Sequence, residues 1–491
     1  MREKIKEEWL SNIKGDILSG IVVALALIPE AIGFSIIAGV DPMIGLYASF
    51  CMSLVIAFSG GRIGMISAAT GAMALVMVGL VKNHGIQYMF AATILTGIIQ
   101  MILGTLKVGN LIKFIPKSVM VGFVNSLAIL IFMAQIPSFS GESWQMYAMV
   151  AGGLLIIYIF PKITKTIPSP LVAIVVISAI AILTKSDVRT VGDMGHISNT
   201  LPKFLIPNVP LNFETFKVIL PYSISLAFVG LIESLLTSQI VDDMTETSSN
   251  KTQECFGQGI GNIIVGFFGG MASCAMIGQS VINIKSGGRS RLSTFSSGIF
   301  LMVLIIALNK LVVQIPLAAL VAVMIMVSIG TFDWSSIKKI KMLPKSDSFV
   351  MIVTVAVVVL THNLAIGVLL GTILSAVFFV VKISKIKVIA IVEENSNKKV
   401  YKVKGQLFFA SATNFLEQFD FSDKFNSIEI DLSKAHIWDE SGVGAIDKAM
   451  IKYKKNGSNV NIVGLNKHST NLIDKIAIFN KNDVCQQEFV H

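Results

Sequence analysis

Apolar residues fill long windows of this chain without alternation, and short polar breaks separate them. Windows long enough to cross a hydrocarbon layer recur at about 17 to 38, 43 to 59, 86 to 106, 118 to 136, 146 to 160, 169 to 184, 217 to 240, 292 to 312, 316 to 330, 348 to 361 and 366 to 381. Three weaker windows lie at 65 to 81, 256 to 270 and 272 to 284. The pattern predicts a polytopic α-helical membrane protein of about fourteen spans.

Two of the weak windows, "ISAATGAMALVMVGL" (Ile66 to Leu80) and "SCAMIGQSVINI" (Ser273 to Ile284), are short and rich in small residues. The first is the third span of the first seven, and the second is the third span of the second seven. Short, Gly-interrupted segments at matching places in two halves mark an inverted-repeat transporter whose half-helices meet at the membrane midplane. The plainer reading is that small residues let helices pack closely.

After Lys387 the chain turns polar with "ENSNKK". Beyond it, "KVYKVKG", "SIEIDLS" and "SNVNIVGL" read as strands. "ESGVGAIDKAMIKYKKNG" reads as a helix closed by Gly457, and "STNLIDKIAIF" as one opened by Ser469 or Thr470. The expected organisation is a cytoplasmic N-terminal segment (1–14), a membrane domain (15–387) and a small cytoplasmic α/β domain (388–491).

Composition agrees with this pattern. Of the 491 residues, 53% are hydrophobic and 14% charged, against about 25% charged in soluble domains. The net charge of +10 is spread in small clusters between spans: Arg62; Lys107, Lys113 and Lys117; Lys162 and Lys165; Lys285, Arg289 and Arg291; Lys338, Lys339, Lys341 and Lys345; Lys382, Lys385 and Lys387. With a cytoplasmic amino terminus (Arg2, Lys4, Lys6), every cluster falls inside, so the basic balance reports topology in an inner or plasma membrane. No nucleic acid partner is expected. The cysteines form no CxxC pair, so neither a zinc site nor a disulfide framework is indicated. No cleavable signal peptide precedes the first span, no cofactor motif is present, and no nucleophile and base pair suggests an enzyme.

"GDILSGIVVALALIPEAIGFSIIAGVDPMIGLYASF" (Gly15 to Phe50), "VGLIESLLTSQIVDDMT", "GQGIGNIIVGFFGG", "SGGRSRLS" and "IPLAALVAVMI" together resemble the SulP sulfate permease family, relatives of the solute carrier 26 anion transporters. The tail, with "VKGQLFFASATNFLEQF" and "IDLSKAHIWDESGVGAID", resembles a STAS domain. The resemblance implies a fold of seven plus seven inverted spans, in which a core domain (spans 1 to 4 and 8 to 11) carries substrate past a gate domain by an elevator-like movement. It also implies a homodimer, and an anion held between the amino-terminal ends of half-helices 3 and 10.

Each helix end offers unpaired N–H groups and about half a positive charge. The matching positions are Ala69, Thr70 and Gly71 at one end and Ser273, Cys274 and Ala275 at the other, with Thr70 and Ser273 as added hydroxyl donors. Two departures from the family stand out. Gln279 occupies the place of an Arg common in relatives, and Glu30 the place of a Gln.

Carboxylates inside a membrane are costly and therefore functional candidates. Glu233 stands at the family's acidic position on span 8, with Thr237 one turn on; in sodium-coupled relatives such an acid and Thr hold the cation. If Glu30 and Glu233 were both ionised, about two negative charges would face about one positive charge from the helix ends. Anion binding would then require a coupling ion, with Glu30 taking up a proton and Glu233 taking up a proton or coordinating sodium. Alternatively, either acid is a structural partner of a buried amide or lysine.

The expected function is secondary active transport of a small anion such as sulfate, bicarbonate or a dicarboxylate, in symport with a proton or sodium. An uncoupled exchanger, a passive channel, or transport of a neutral substrate are the alternatives, the last because Gln279 removes the fixed cation. His362 reads as a loop residue, and "SGGRSR" as a cytoplasmic turn. Ser441 in "DESG" stands at a position phosphorylated in anti-anti-sigma relatives of the STAS domain, and otherwise would cap the helix.

Overall fold

The computed structural model describes residues 2–164, 168–195, 200–393, 397–422 and 425–478, without the side chains of 2–5 and 111–113. Lys165 and the end of the last helix expected from sequence lie outside the described residues. Two compact units, 1–372 and 373–491, divide the chain within the last membrane helix.

A short helix, Arg2–Leu10, precedes the first half of the membrane domain. That half comprises α1 (Ile13–Ala38), α2 (Pro42–Ser59), β1 (Ser67–Ala69), α3 (Gly71–His84), α4 (Ile86–Thr105), α5 (Lys117–Met133), α6 (Trp144–Ile163) and α7 (Ser169–Thr184). The second half comprises α8 (Phe213–Thr245), α9 (Lys251–Phe267), β2 (Ser273–Ala275), α10 (Ile277–Lys285), α11 (Arg291–Val313), α12 (Leu317–Thr331), α13 (Lys345–Thr361) and α14 (Leu364–Ile383). Among the described residues nine helices are long and apolar enough to cross a membrane. The remaining spans are shorter, and two of them are broken by an extended segment.

Packing repeats between the halves. Helix α1 packs on α11 as α8 packs on α4, α2 on α11 as α9 on α4, and α1 on α3 as α8 on α10. In the same way α5 packs on α13 as α12 packs on α6. These exchanges are those of a two-fold axis relating an inverted repeat of seven spans to its partner. Spans 1 to 4 and 8 to 11 make the core, and the others make the gate.

Local chemistry fixes the element ends. Helix α1 stops where Gly39 turns left-handed (φ 76°), its N–H and that of Val40 closing on Ile36 O and Ser35 O. Helix α2 begins at once with Pro42 as its first residue.

The N-terminal segment is not a separate appendage, because it is fastened to the turn between α10 and α11. Glu8 pairs with Arg291 at 2.8 Å, and the Trp9 ring packs on Phe58 and Phe295. The Asp16 carboxylate accepts from Arg289 N, Ser290 N and Ser290 Oγ. The "SGGRSR" turn therefore does cradle an anion, the side chain of Asp16.

The second unit holds a four-stranded sheet in the order β3 (Lys387–Glu393), β4 (Lys398–Leu407), β5 (Ser427–Ile437), β6 (Asn459–Val463). Strands β3 and β4 are antiparallel, and β4–β5 and β5–β6 are parallel. Helices α15 (Glu440–Lys455) and α16 (Lys467–Ile476) complete it around a core containing Tyr401, Phe415, Ile430 and Tyr453. Gly457 closes α15 at φ 86°, as expected. Helix α16 opens at Asn466 rather than Ser469 or Thr470, because the Asn466 side chain accepts from Ser469 N. Strand β3 is an addition to the expected elements; its side chains are mostly exposed, so the sequence offered no buried periodicity to find.

Candidate functional site

Two extended segments pair antiparallel inside the membrane domain, with Ser67 opposite Ala275, Ala68 opposite Cys274 and Ala69 opposite Ser273. Every one of these residues is buried. A two-stranded ribbon in an apolar interior leaves backbone groups unmet on its outer edges, and short polar side chains meet them. Ser49 Oγ accepts from Ala69 N, Ser234 Oγ from Ala275 N, and Ser280 Oγ from Ile66 N. Asn262 acts as a substitute third strand: its Oδ1 accepts from Ser273 N at 2.8 Å and its Nδ2 donates to Ser273 O at 3.0 Å. The same Nδ2 also donates to Gln100 Oε1.

Each segment runs into a helix that starts mid-membrane. Thr70 caps α3, its hydroxyl oxygen accepting from Met73 N, and the first helical bond runs from Ala74 N to Thr70 O. The amides of Gly71 and Ala72 thus have no helical acceptor. In α10 the cap is Met276 and the first helical bond runs from Ser280 N to Met276 O, which leaves Ile277, Gly278 and Gln279 in the equivalent place.

The helix start therefore lies beyond the residues expected at one end of the site. Ser273, Cys274 and Ala275 belong to strand β2, and the N–H groups of Ser273 and Ala275 are already used. The Ser273 hydroxyl donates to Met271 O and turns away from the helix end. Ala69 likewise lies in β1, whereas Thr70 and Gly71 do sit at the start of α3.

Glu233 of α8 faces this crossing. Its Oε2 accepts from the Cys274 thiol at 3.0 Å and the Thr70 hydroxyl at 3.5 Å, and those two groups are 3.3 Å apart. Thr237, expected beside Glu233, is instead committed to its own helix, donating to Glu233 O at 2.7 Å, as a hydroxyl one turn on in a buried helix readily does. Glu30, which follows the Pro29 inside α1, lies beside the Gln279 side chain of α10. Among the described residues neither acid forms an ion pair with Lys, Arg or His.

A cavity of about 960 Å³ opens between core and gate, at the end of the membrane domain where α1, α3 and α5 finish. Its lining includes Ile36, Leu75, Leu130, Tyr222, Arg189 and His362, and none of the residues around the strand crossing. His362 sits in a left-handed turn at the end of α13.

Sequence reasoning missed Asn262 and Gly278. Asn262 carried a usable signal, an amide in the apolar run "GNIIVGFF". In the second unit Asp439, not Ser441, caps α15 through Gly442 N at 2.9 Å, and Ser441 is exposed on its first turn.

The sequence profile of the Sulfate permease family matches residues 13–150 and 142–354, and that of the STAS domain matches 390–488. A candidate sulfate transporter of Bacillus subtilis (strain 168), YbaR, is 62% identical over 96% of this chain and 99% of its own. The bicarbonate transporter BicA of Picosynechococcus sp. is 29% identical over 77% of this chain and 72% of its own. Among solved structures, the transmembrane domain of a cyanobacterium BicA aligns with a TM-score of 0.65 at 27% identity, covering 74% of this chain and 97% of that one. The murine Solute Carrier 26 family member A9 anion transporter, in its inward-facing state, aligns with a TM-score of 0.81 at 18% identity, over 96% and 88% of the two chains. The last likeness is one of fold.

Proposed function

The chain belongs to the sulfate permease family and carries a STAS domain, and we propose that it moves a small oxyanion together with a cation. Anion transport is its class of activity, and the relatives are named for sulfate and for bicarbonate. The observation that carries the coupled reading is that, among the described residues, neither Glu30 nor Glu233 pairs with a cation: the Gln279 amide stands beside the first, and Cys274 and Thr70 donate to the second.

Two opposed helix ends supply about one positive charge, and each ionised carboxylate at membrane depth costs on the order of 3 kcal/mol. An anion added to two unneutralised carboxylates would leave the site strongly negative. A proton on Glu30, and a proton or sodium ion at Glu233, removes that imbalance. The anion then lies between Thr70 and Gly71 on one side and Gly278 and Gln279 on the other, with Glu30 on its flank. The core carries it past the gate, both chain termini face the cytoplasm, and Ser441 is a site at which phosphorylation regulates the STAS domain.

Uptake of labelled sulfate, bicarbonate and fumarate into proteoliposomes, under imposed proton or sodium gradients, tests this. Accumulation driven by one of the two gradients supports symport. Exchange without accumulation under either gradient would make the protein an uncoupled carrier.

A further inference from the structure

Two glycines on the core accept side chains from two helices of the gate. Gly33 of α1 lies against Met324 of α12, where an added Cβ would stand 2.6 Å from the Met324 sulfur. Gly71, the first residue of α3, lies between Phe34 of α1 and Ile131 of α5, and there the added carbon would stand 2.8 Å from Phe34 Cε1 and 2.9 Å from Ile131 Cδ1. Phe34, Ile131 and Met324 are all buried. Neither glycine has a positive φ, so what both positions require is space.

The two inserted side chains come from helices that exchange under the two-fold relating the halves, α5 and α12, though from different positions along them. Their place in the molecule is also specific. The cavity of about 960 Å³ is lined by Ile36 and Ile37 of α1 and Leu75 of α3, one turn beyond Gly33 and Gly71, and by Leu130 and Met133 of α5, on either side of Ile131. Gly33, Gly71 and Ile131 thus stand at the inner edge of that cavity, next to the start of α3. At the other half-helix the surroundings are open: Gly278 is exposed, and a Cβ added there meets nothing within 4 Å.

We propose that Ile131 and Met324 are the barrier that closes the anion site from the cavity, and that Gly33 and Gly71 are the notches in which they seat and from which they slide. The proposal rests on the elevator reading. A core that moves along α5 and α12 must carry these positions past two buried side chains. Glycine presents nothing to lift over them, whereas a methyl group must be forced past a packed neighbour at the crossing point. At Gly33, away from the anion, the cost therefore falls on the moving step and much less on substrate binding.

The test is uptake in proteoliposomes by Gly33→Ala, Gly33→Ala/Met324→Ala and Gly33→Ala/Ile131→Ala, using whichever labelled anion the wild type takes up. Expected are a tenfold or greater loss of maximal rate in Gly33→Ala with KM within twofold, recovery to at least a third of the wild-type rate with Met324→Ala, and no recovery with Ile131→Ala. Should Gly33→Ala fail to give a monodisperse protein, Gly71→Ala with and without Ile131→Ala, read by maximal rate alone, makes the same comparison at the other notch. A wild-type rate in the glycine variants, or equal recovery by either partner substitution, would overturn the barrier. Absence of uptake of every anion by the wild type would overturn the transport reading beneath it.

Discussion

The side chains of Gln279 and Glu30 are neighbours, bringing the tenth span beside the first at a half-helix end. The two positions at which this chain departs from the family resemblance are thus adjacent in space. An amide and a cation are replaced by an acid and an amide, and each replacement makes the site one charge more negative. That coupled change is what makes a co-transported cation the economical reading.

Glu30→Gln is expected to abolish stimulation of uptake by the coupling gradient while leaving exchange of preloaded anion within a fewfold of wild type. Gln279→Arg supplies a fixed positive charge beside Glu30 and is expected to weaken the dependence on the gradient about tenfold, equivalent to about 1.4 kcal/mol. Initial rates with and without each gradient measure both. Full retention of gradient-driven accumulation in Glu30→Gln would remove Glu30 from the coupling step.

Cys274 and Thr70 serve Glu233, and their substitutions separate the donor from the residue type. Cys274→Ser and Thr70→Ser keep a donor and are expected to transport within about threefold of wild type. Cys274→Ala and Thr70→Val leave the Glu233 carboxylate short of a partner, and Thr70→Val also removes the cap of α3 at a cost of about 1 kcal/mol. Both are expected to lower the maximal rate tenfold or more. Equal rates for serine and alanine at position 274 would show that the thiol contact is idle.

Asn262 carries the unpaired edge of β2. Removing its amide leaves Ser273 N and Ser273 O without their partner in a buried site, and each such group costs about 1–3 kcal/mol. Asn262→Leu is therefore expected to lower the thermal unfolding midpoint of the detergent-solubilised protein by several degrees and to raise KM. An unchanged midpoint would mean that the ribbon satisfies its edge in another way.

Ser441 is exposed beside the Asp439 cap, so phosphate there would add to an existing negative charge at the start of α15. Ser441→Ala is expected to transport as wild type in proteoliposomes, and Ser441→Asp to shift the maximal rate by twofold or more without altering KM. Mass spectrometry of protein from its native membrane checks whether the modification occurs. An unmodified serine together with identical rates for both variants would leave Ser441 without a regulatory role.

Much of the architecture was legible in the chain because a membrane imposes a coarse rule. Spans must be apolar and roughly 20 residues long, so the windows from 17 to 381 mark the helices with few errors of length. The two broken spans announced themselves by small residues at matching places in the halves. Glu30, Glu233 and Gln279 stood out because polar groups are expensive at membrane depth.

What one dimension could not supply was which small residue starts a helix and which belongs to a strand. Ser273 to Ala275 and Ile277 to Gln279 are equally plausible helix starts by composition. Only the pairing of β2 with β1, and the seizure of its outer edge by Asn262 and Ser234, consume the first set of amides and leave the second. The partners of Thr237, Glu30 and Gly71 were hidden for the same reason, since each depends on a helix distant in sequence or on a local carbonyl competing for one hydroxyl. Hydrophobic patterning determined the spans and their symmetry; hydrogen-bond satisfaction and close packing across the two halves decided which amides are left at the two helix starts.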